Sequence, residues 1–312
     1  MILGGGGLMA TGILVLVVVL TQRLMFPSPS SLAVFQADDF AYLPSDCESV
    51  SYCRLGDLAG SPFFQDHLTR SPQLRGAIDQ FRDRMGMELR DVDSMAIAIK
   101  RDQLGALNVG FSRGVLWGLR CVAVVRSSKP WDRTKLIGPH TQSSLHNNLT
   151  YHTFPLESQP TTRWAIYLPD ANTLVVGTLP EVQAAMDTKG SIPEWPEMEF
   201  LQPEYVLFSA RLPSAKPNND PTAPRPKGSN LVGNTMAHMS GSGFSLENDA
   251  VNFATFTTWS SEAEAAEHIS EAEKFEQEKQ TRSPQYRRNG VPIESRFQQH
   301  GRTVTLLQDH DE

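Results

Sequence analysis

From Ile2 to Leu20 the chain carries no charge, and every residue apart from Thr11 is apolar or small. Nineteen helical residues at ~1.5 Å rise span about 28 Å, close to the hydrocarbon thickness of a bilayer. The run therefore predicts a transmembrane helix within an anchor over residues 1–26. Two other readings stand beside it. A cleaved signal peptide needs a basic leader and a small-residue cleavage site close to its apolar core. No Lys or Arg precedes this core, and the nearest small-residue site, Ser31-Leu32-Ala33, lies well beyond Leu20. A buried core helix would be shorter and less uniformly rich in Val and Leu.

After a Pro- and Ser-containing stalk (27–39), the rhythm changes. Val50 to Leu55 alternates as a strand does. Ser61-Pro62 and Ser71-Pro72 then place an N-cap and a proline at the first turns of two helices. Leu74, Ile78, Phe81 and Met85 follow at the spacing of one helix face, and Gly86 is a natural stop. Ser94–Lys100, Ala106–Ser112 and Val115–Ser127 read as a meander of consecutive antiparallel strands, with Gly105 and Gly114 in the turns. Arg163–Leu168 and Thr173–Thr178 read as a hairpin around Pro169-Asp170-Ala171-Asn172. Thr178 and Glu181 then have capping-box spacing at the start of a helix whose inner face is Val182, Ala185 and Met186, with Gly190 as its end.

The pattern resumes at Leu201. Residues 213–229 hold five prolines and cannot form helix or central strand, so they read as an exposed insertion. Gly241–Ser245 reads as a turn, and Phe244–Trp259 as a hairpin around Glu247–Asp249. Ser261 and Glu264 make a second capping-box spacing before a charged helix with Ala266, Ile269, Ala272 and Phe275 as its apolar stripe, and Arg302–Leu307 closes the chain as a strand. Ser49–Leu55 echoes Val206–Leu212, each ending in Arg-Leu. Val122–Ile137 echoes Thr255–Ile269, each a strand, then Ser-Ser, then a helix. The expected fold is α+β: antiparallel sheets with packed helices, internally duplicated as residues 40–200 and 201–312. A chance likeness of short β-branched segments is the competing reading.

Composition narrows the function. Hydrophobic residues are 40% and charged residues 20%, which suits a globular body. A net charge of -7 argues against a nucleic-acid partner, which needs a basic surface. The three cysteines, Cys47, Cys53 and Cys121, are too few for a disulfide scaffold. They read as small buried side chains, although Cys53 and Cys121 could also be neighbours across a sheet.

Candidate chemistry is sparse. The sequence has no H-E-x-x-H, P-loop or G-x-S-x-G motif. His140, His146 and His152 recur every six residues through a polar loop, a spacing with no fixed ligand geometry. His310 reads as frayed. Asp38-Asp39 and Asp91/Asp93 are carboxylate pairs that read as solvated. Asp46 reads as a turn residue at a strand entrance, and Ser61 and Ser71 as caps rather than nucleophiles. Trp117, Trp131, Trp164, Trp195 and Trp259 are scattered, and Asn148 opens a glycosylation triplet. No catalytic, cofactor or metal residue is assigned.

Leu43-Pro44-Ser45-Asp46, the helix start Leu58-Ala59-Gly60-Ser61-Pro62, and the segment Thr173-Leu174-Val175-Val176-Gly177 with Glu181-Val182 and Ala184-Ala185 carry a resemblance. They resemble a group of uncharacterised, membrane-anchored bacterial proteins of planctomycete type. A second segment like Thr173–Gly177 near the chain end is lacking. The resemblance implies an extracytoplasmic α+β body and transfers no activity. Arg23 is the one basic residue beside the apolar run, and taken literally it would keep the body cytoplasmic. The resemblance favours a body outside the cytoplasm, tethered to the membrane through residues 2–20. The first functional expectation is a non-catalytic structural or interaction protein of the cell envelope, with a protein or envelope component as partner. The alternatives are an envelope hydrolase whose carboxylates meet only on folding, and a ligand-sensing ectodomain.

Overall fold

Strands that alternate inward and outward along both faces need cover on both sides, and this chain supplies it unequally. The computed structural model describes residues 37–47, 49–100, 120–139, 141–156, 159–195, 201, 205–211, 239–247, 250–259, 261–282, 287–288, 291–292, 294–301 and 303–310. The expected anchor (1–26), most of the stalk and the Pro-rich segment 213–229 lie outside these residues. No helix among the described residues is long and apolar enough to cross a membrane.

Twelve strands form one antiparallel sheet. They are β1 (Ser49–Cys53), β2 (Val92–Lys100), β3 (Arg120–Ser127), β4 (Gln142–His146), β5 (Leu149–Leu156), β6 (Gln159–Tyr167), β7 (Thr173–Thr178), β8 (Tyr205–Arg211), β9 (Met239–Glu247), β10 (Ala250–Thr258), β13 (Glu294–His300) and β14 (Thr303–His310). β11 (Arg287–Arg288) and β12 (Val291–Pro292) make a separate ribbon. The order is β13-β14-β10-β9-β8-β1-β2-β3-β7-β6-β5-β4. β1 and β8 pair at the middle, Ser49 opposite Arg211 and Cys53 opposite Leu207. Outward from that pair the strands run 1-2-3-7-6 on one side and 8-9-10-14-13 on the other. The fold class is α+β.

The helices are α1 (Leu55–Gly60), α2 (Pro62–Arg70), α3 (Pro72–Met85), α4 (Arg133–Leu136), α5 (Leu179–Asp187) and α6 (Glu262–Arg282). The Ser-Pro starts work as the sequence implies. Ser61 Oγ accepts from Phe64 N at 3.2 Å and Ser71 Oγ from Leu74 N at 3.4 Å. Gly86 closes α3 at φ 72. Leu74 and Met85 are buried, while Ile78 and Phe81 lie half-buried at the margin of the same face. The first strand ends at Cys53, and Leu55 already belongs to α1.

One sheet face carries Met95, Ile97, Cys121, Ala123, Val125, Ile166, Leu174 and Val176, packed with Leu58, Phe64, Leu74, Met85, Trp131 and Leu136 from the α1–α4 region. The other carries Val50, Tyr52, Ala96, Ala98, Val122, Val124 and Val175. The small alanines let the segment 37–47 lie close, so that Phe40 and Leu43 pack there with Val182, Ala185 and Met186 of α5 and with Trp195. Phe208 and Phe256 extend this layer across β8 and β10, their rings 5.7 Å apart. α6 makes a smaller cluster with Trp259, Val304 and Phe297.

Several expectations need correction. β2 and β3 pair directly from Val92–Ser127 to Lys100–Arg120, so no strand stands between them; the expected strand 106–112 lies outside the described residues. Gly241 and Gly243 sit inside β9 rather than in a turn, and glycine suits position 243 because the Tyr205 ring occupies the space a Cβ there would need. The stretch around the histidines is a hairpin, β4–β5, closed by Asn147 and Asn148 at φ 49 and 64, values asparagine tolerates in a tight two-residue turn. His310 pairs with Val251 rather than fraying. Among the described side chains of α6 the buried one is Ala265, not Ala266, since it is Ala265 that faces Trp259 and Val304; the Phe275 side chain lies outside those described.

Candidate functional site

The described polar groups that the fold brings together lie mainly on the face covered by residues 37–47. They form two clusters at opposite ends of β2 and β3. Both arise from strand alternation: Ser94 and Lys100 share one face with Ala96 and Ala98, and Arg120 and Arg126 share it with Val122 and Val124.

At one end Asp39 is buried with 8% of its surface exposed. Ser94 Oγ donates to its Oδ1 at 2.7 Å and the Tyr52 hydroxyl to its Oδ2 at 2.9 Å. The Arg126 Nε stands 3.6 Å from Oδ1, and the same guanidinium donates to the Asp38 carbonyl. Burial, and then the neighbouring Asp39 charge, push the Tyr52 hydroxyl far above its ordinary range, so it stays a donor.

At the other end Glu181 has 1% of its surface exposed. Arg120 donates through Nε to Oε1 at 2.8 Å and closes the fork with its second nitrogen on the same oxygen. Lys100 Nζ stands 3.2 Å from Oε2 and donates to Asp46 Oδ2 at 2.6 Å. Burial disfavours the charged lysine, but the hydrogen bonds and charges of Asp46 and Glu181 outweigh it and raise the Lys100 pKa. The segment 37–47 is thus held at both ends, by Asp39 to Ser94, Tyr52 and Arg126, and by Asp46 to Lys100.

These placements revise the sequence reading. Thr178 and Glu181 do not make a capping box: Thr178 makes no side-chain cap bond, and Glu181 turns inward to Arg120 and Lys100. Asp39 is buried rather than solvated, and Asp46 is a lysine partner rather than only a turn residue. Asp91 is also buried; it accepts from Lys129 at 2.8 Å and from Glu88 N at 3.0 Å, and the lysine bond foremost lowers its pKa. Asp93 is exposed. Lys100, Arg120 and Arg126 escaped the sequence reading. The one available hint was that Arg120 and Arg126 bracket an apolar strand at positions facing the same side.

The other candidates are not gathered. His146 Nε2 is 2.8 Å from Asp187 Oδ1, and His152 Nδ1 is 3.1 Å from Ser143 Oγ. Among the described residues no group of three or more His, Cys, Asp or Glu is placed to hold a metal ion. His140 and Trp117 lie outside the described residues. Trp131 and Trp164 are buried in one core cluster and Trp195 and Trp259 in two others, with Trp131 Nε1 bonded to Asn172 O and Trp195 Nε1 to Ser45 O. Asn148 is exposed in its turn. Cys53 lies opposite Met95 and Cys121 opposite Ile99, four residues along β2, or about 13 Å at ~3.3 Å per residue. None of the three cysteines is in a disulfide, and all three are buried. Burial pushes the Cys53 and Cys121 thiols up to about 12, which keeps them protonated and poorly nucleophilic at neutral pH.

No protein-family model matches the chain. No curated protein matches it. Among solved structures, crystal forms I, III and IV of TP0453 are similar, at 8%, 9% and 9% identity and TM-scores of 0.44, 0.45 and 0.46. The matches cover 90–91% of this chain and 94–95% of those chains.

Proposed function

We propose that this chain is a membrane-tethered, extracytoplasmic interaction protein whose buried charges serve architecture rather than catalysis. The observation that carries the reading is the use made of the buried carboxylates. Glu181 is held by Arg120 and Lys100, Asp39 by Ser94, Tyr52 and Arg126, and Asp91 by Lys129 and the Glu88 amide. A general acid or base needs one face turned to a substrate; these oxygens instead fasten β1, β2, β3, α5 and the segment 37–47 to one another. The tether is argued from the uncharged run Ile2–Leu20.

The duplication belongs to the same proposal. It is supported by the equal chain order on either side of the β1–β8 pair, which matches β1 to β8, β3 to β10 and β7 to β14. In that arrangement the two copies would share one sheet, and the body would be a platform rather than two jointed domains.

Crosslinking in the native membrane followed by capture of the full-length chain tests the interaction reading. A defined protein or envelope component should be recovered reproducibly. Robust hydrolytic turnover by the purified body, abolished by one conservative substitution in a variant that stays folded, would instead promote the hydrolase reading.

A further inference from the structure

Among the described residues, the face shared by β6 and β7 contains two buried polar atoms without a partner. Trp164 and Thr178 are directly opposed in the β6–β7 ladder, so their side chains leave the same side of neighbouring strands. They are 4% and 3% exposed. Trp164 Nε1 has no acceptor, and Thr178 Oγ1 has neither donor nor acceptor, even though Thr178 stands at the N-cap of α5 where it could have capped the helix. Their surroundings are apolar: Phe154 is the next residue across on β5, and Phe154, Ile166, Val176 and Cys121 belong to the same packed cluster. An N–H or O–H buried without a partner is destabilising, and here two such atoms occur at one paired position.

We propose that Trp164 and Thr178 bracket a binding site for one neutral oxygen. The indole can only donate, so the bound atom must accept; the threonine hydroxyl can donate or accept, so it suits either water or an oxygen-bearing molecule. A charged group is disfavoured, because Phe154, Ile166 and Val176 pack this face and an ion there would be unpaired in apolar surroundings. The oxygen is that of a buried water or the alcohol or carbonyl head of an apolar molecule lodged against Phe154. This goes beyond the interaction reading and does not depend on it.

The test uses the full-length chain, labelled with carbon-13 and nitrogen-15, in deuterated detergent micelles. The Trp164 indole proton is assigned by its loss in Trp164→Phe. An Overhauser cross-peak from that proton to a long-lived water identifies water as the source; a filtered cross-peak to unlabelled, non-protein protons identifies a bound molecule. Either result supports the site, and Thr178→Val should abolish the cross-peak while the other indole signals stay in place. Should Thr178→Val not fold, Thr178→Ser, which keeps the hydroxyl, should retain the cross-peak. Cross-peaks from the Trp164 indole proton to protein protons alone would overturn the proposal.

Discussion

Removing the Glu181 carboxylate should be among the most costly polar changes in the body. The side chain is buried, accepts two guanidinium donors from Arg120, and stands 3.2 Å from Lys100 Nζ. A hydrogen bond to a charged group contributes about 1.5–3 kcal/mol, and stripping one partner from a buried pair costs about 3–5 kcal/mol. Two features move Glu181→Ala to the lower end. The Arg120 side chain is 38% exposed and can be rehydrated, and Lys100 retains Asp46. The expected loss is therefore about 3 kcal/mol, with Glu181→Gln nearer 2 because the amide oxygen still accepts from Arg120 while its NH2 faces Lys100. Urea unfolding followed by circular dichroism measures both. In a cycle with Arg120→Gln the double variant should lose clearly less than the sum of the singles. Losses below about 0.5 kcal/mol for Glu181→Ala, typical of surface substitutions, would refute the buried ion cluster.

Met85→Ala should cost about 2–5 kcal/mol because Met85 is 1% exposed, whereas the half-buried Phe81 should cost less than the ~3–5 kcal/mol of a fully buried aromatic; chemical denaturation of both variants checks the ranking. Gly177→Ala should destabilise strongly, since its Cβ would collide with the Cys121 carbonyl oxygen across the ladder, and a melting midpoint equal to wild type would contradict that packing. Burial beside Trp259 lowers the His268 pKa against the pull of Glu271 and Glu267, so the unfolded chain takes up the proton first. That stabilisation should be complete above the unfolded value of 6.5 and decline as pH falls through the depressed folded pKa; His268→Gln should flatten this part of the stability-versus-pH curve.

Local patterns were legible where local chemistry decides them. The 163–178 hairpin could be read because Asp170 Oδ1 accepts from the amides of Asn172 and Thr173, a bond set by adjacent residues. The Ser61 and Ser71 caps were readable for the same reason. The Glu181 cluster was not, because a capping-box spacing is local whereas Arg120 and Lys100 arrive from other strands and win the carboxylate. The β4–β5 hairpin was hidden by its polar alternation on an edge strand, with Leu145 70% exposed, which leaves no apolar period to detect. Cys53 and Cys121 share a face, as two strands allowed, but register rather than composition sets their separation.

The central claim, a body tethered by residues 2–20 and held outside the cytoplasm, is tested most directly by protease treatment of intact spheroplasts carrying the full-length chain with a tag at its C-terminus. The account predicts that the chain sediments with membranes and that added protease removes the tag without lysis. A tag fully protected until lysis, or a full-length chain in the soluble fraction, would contradict it.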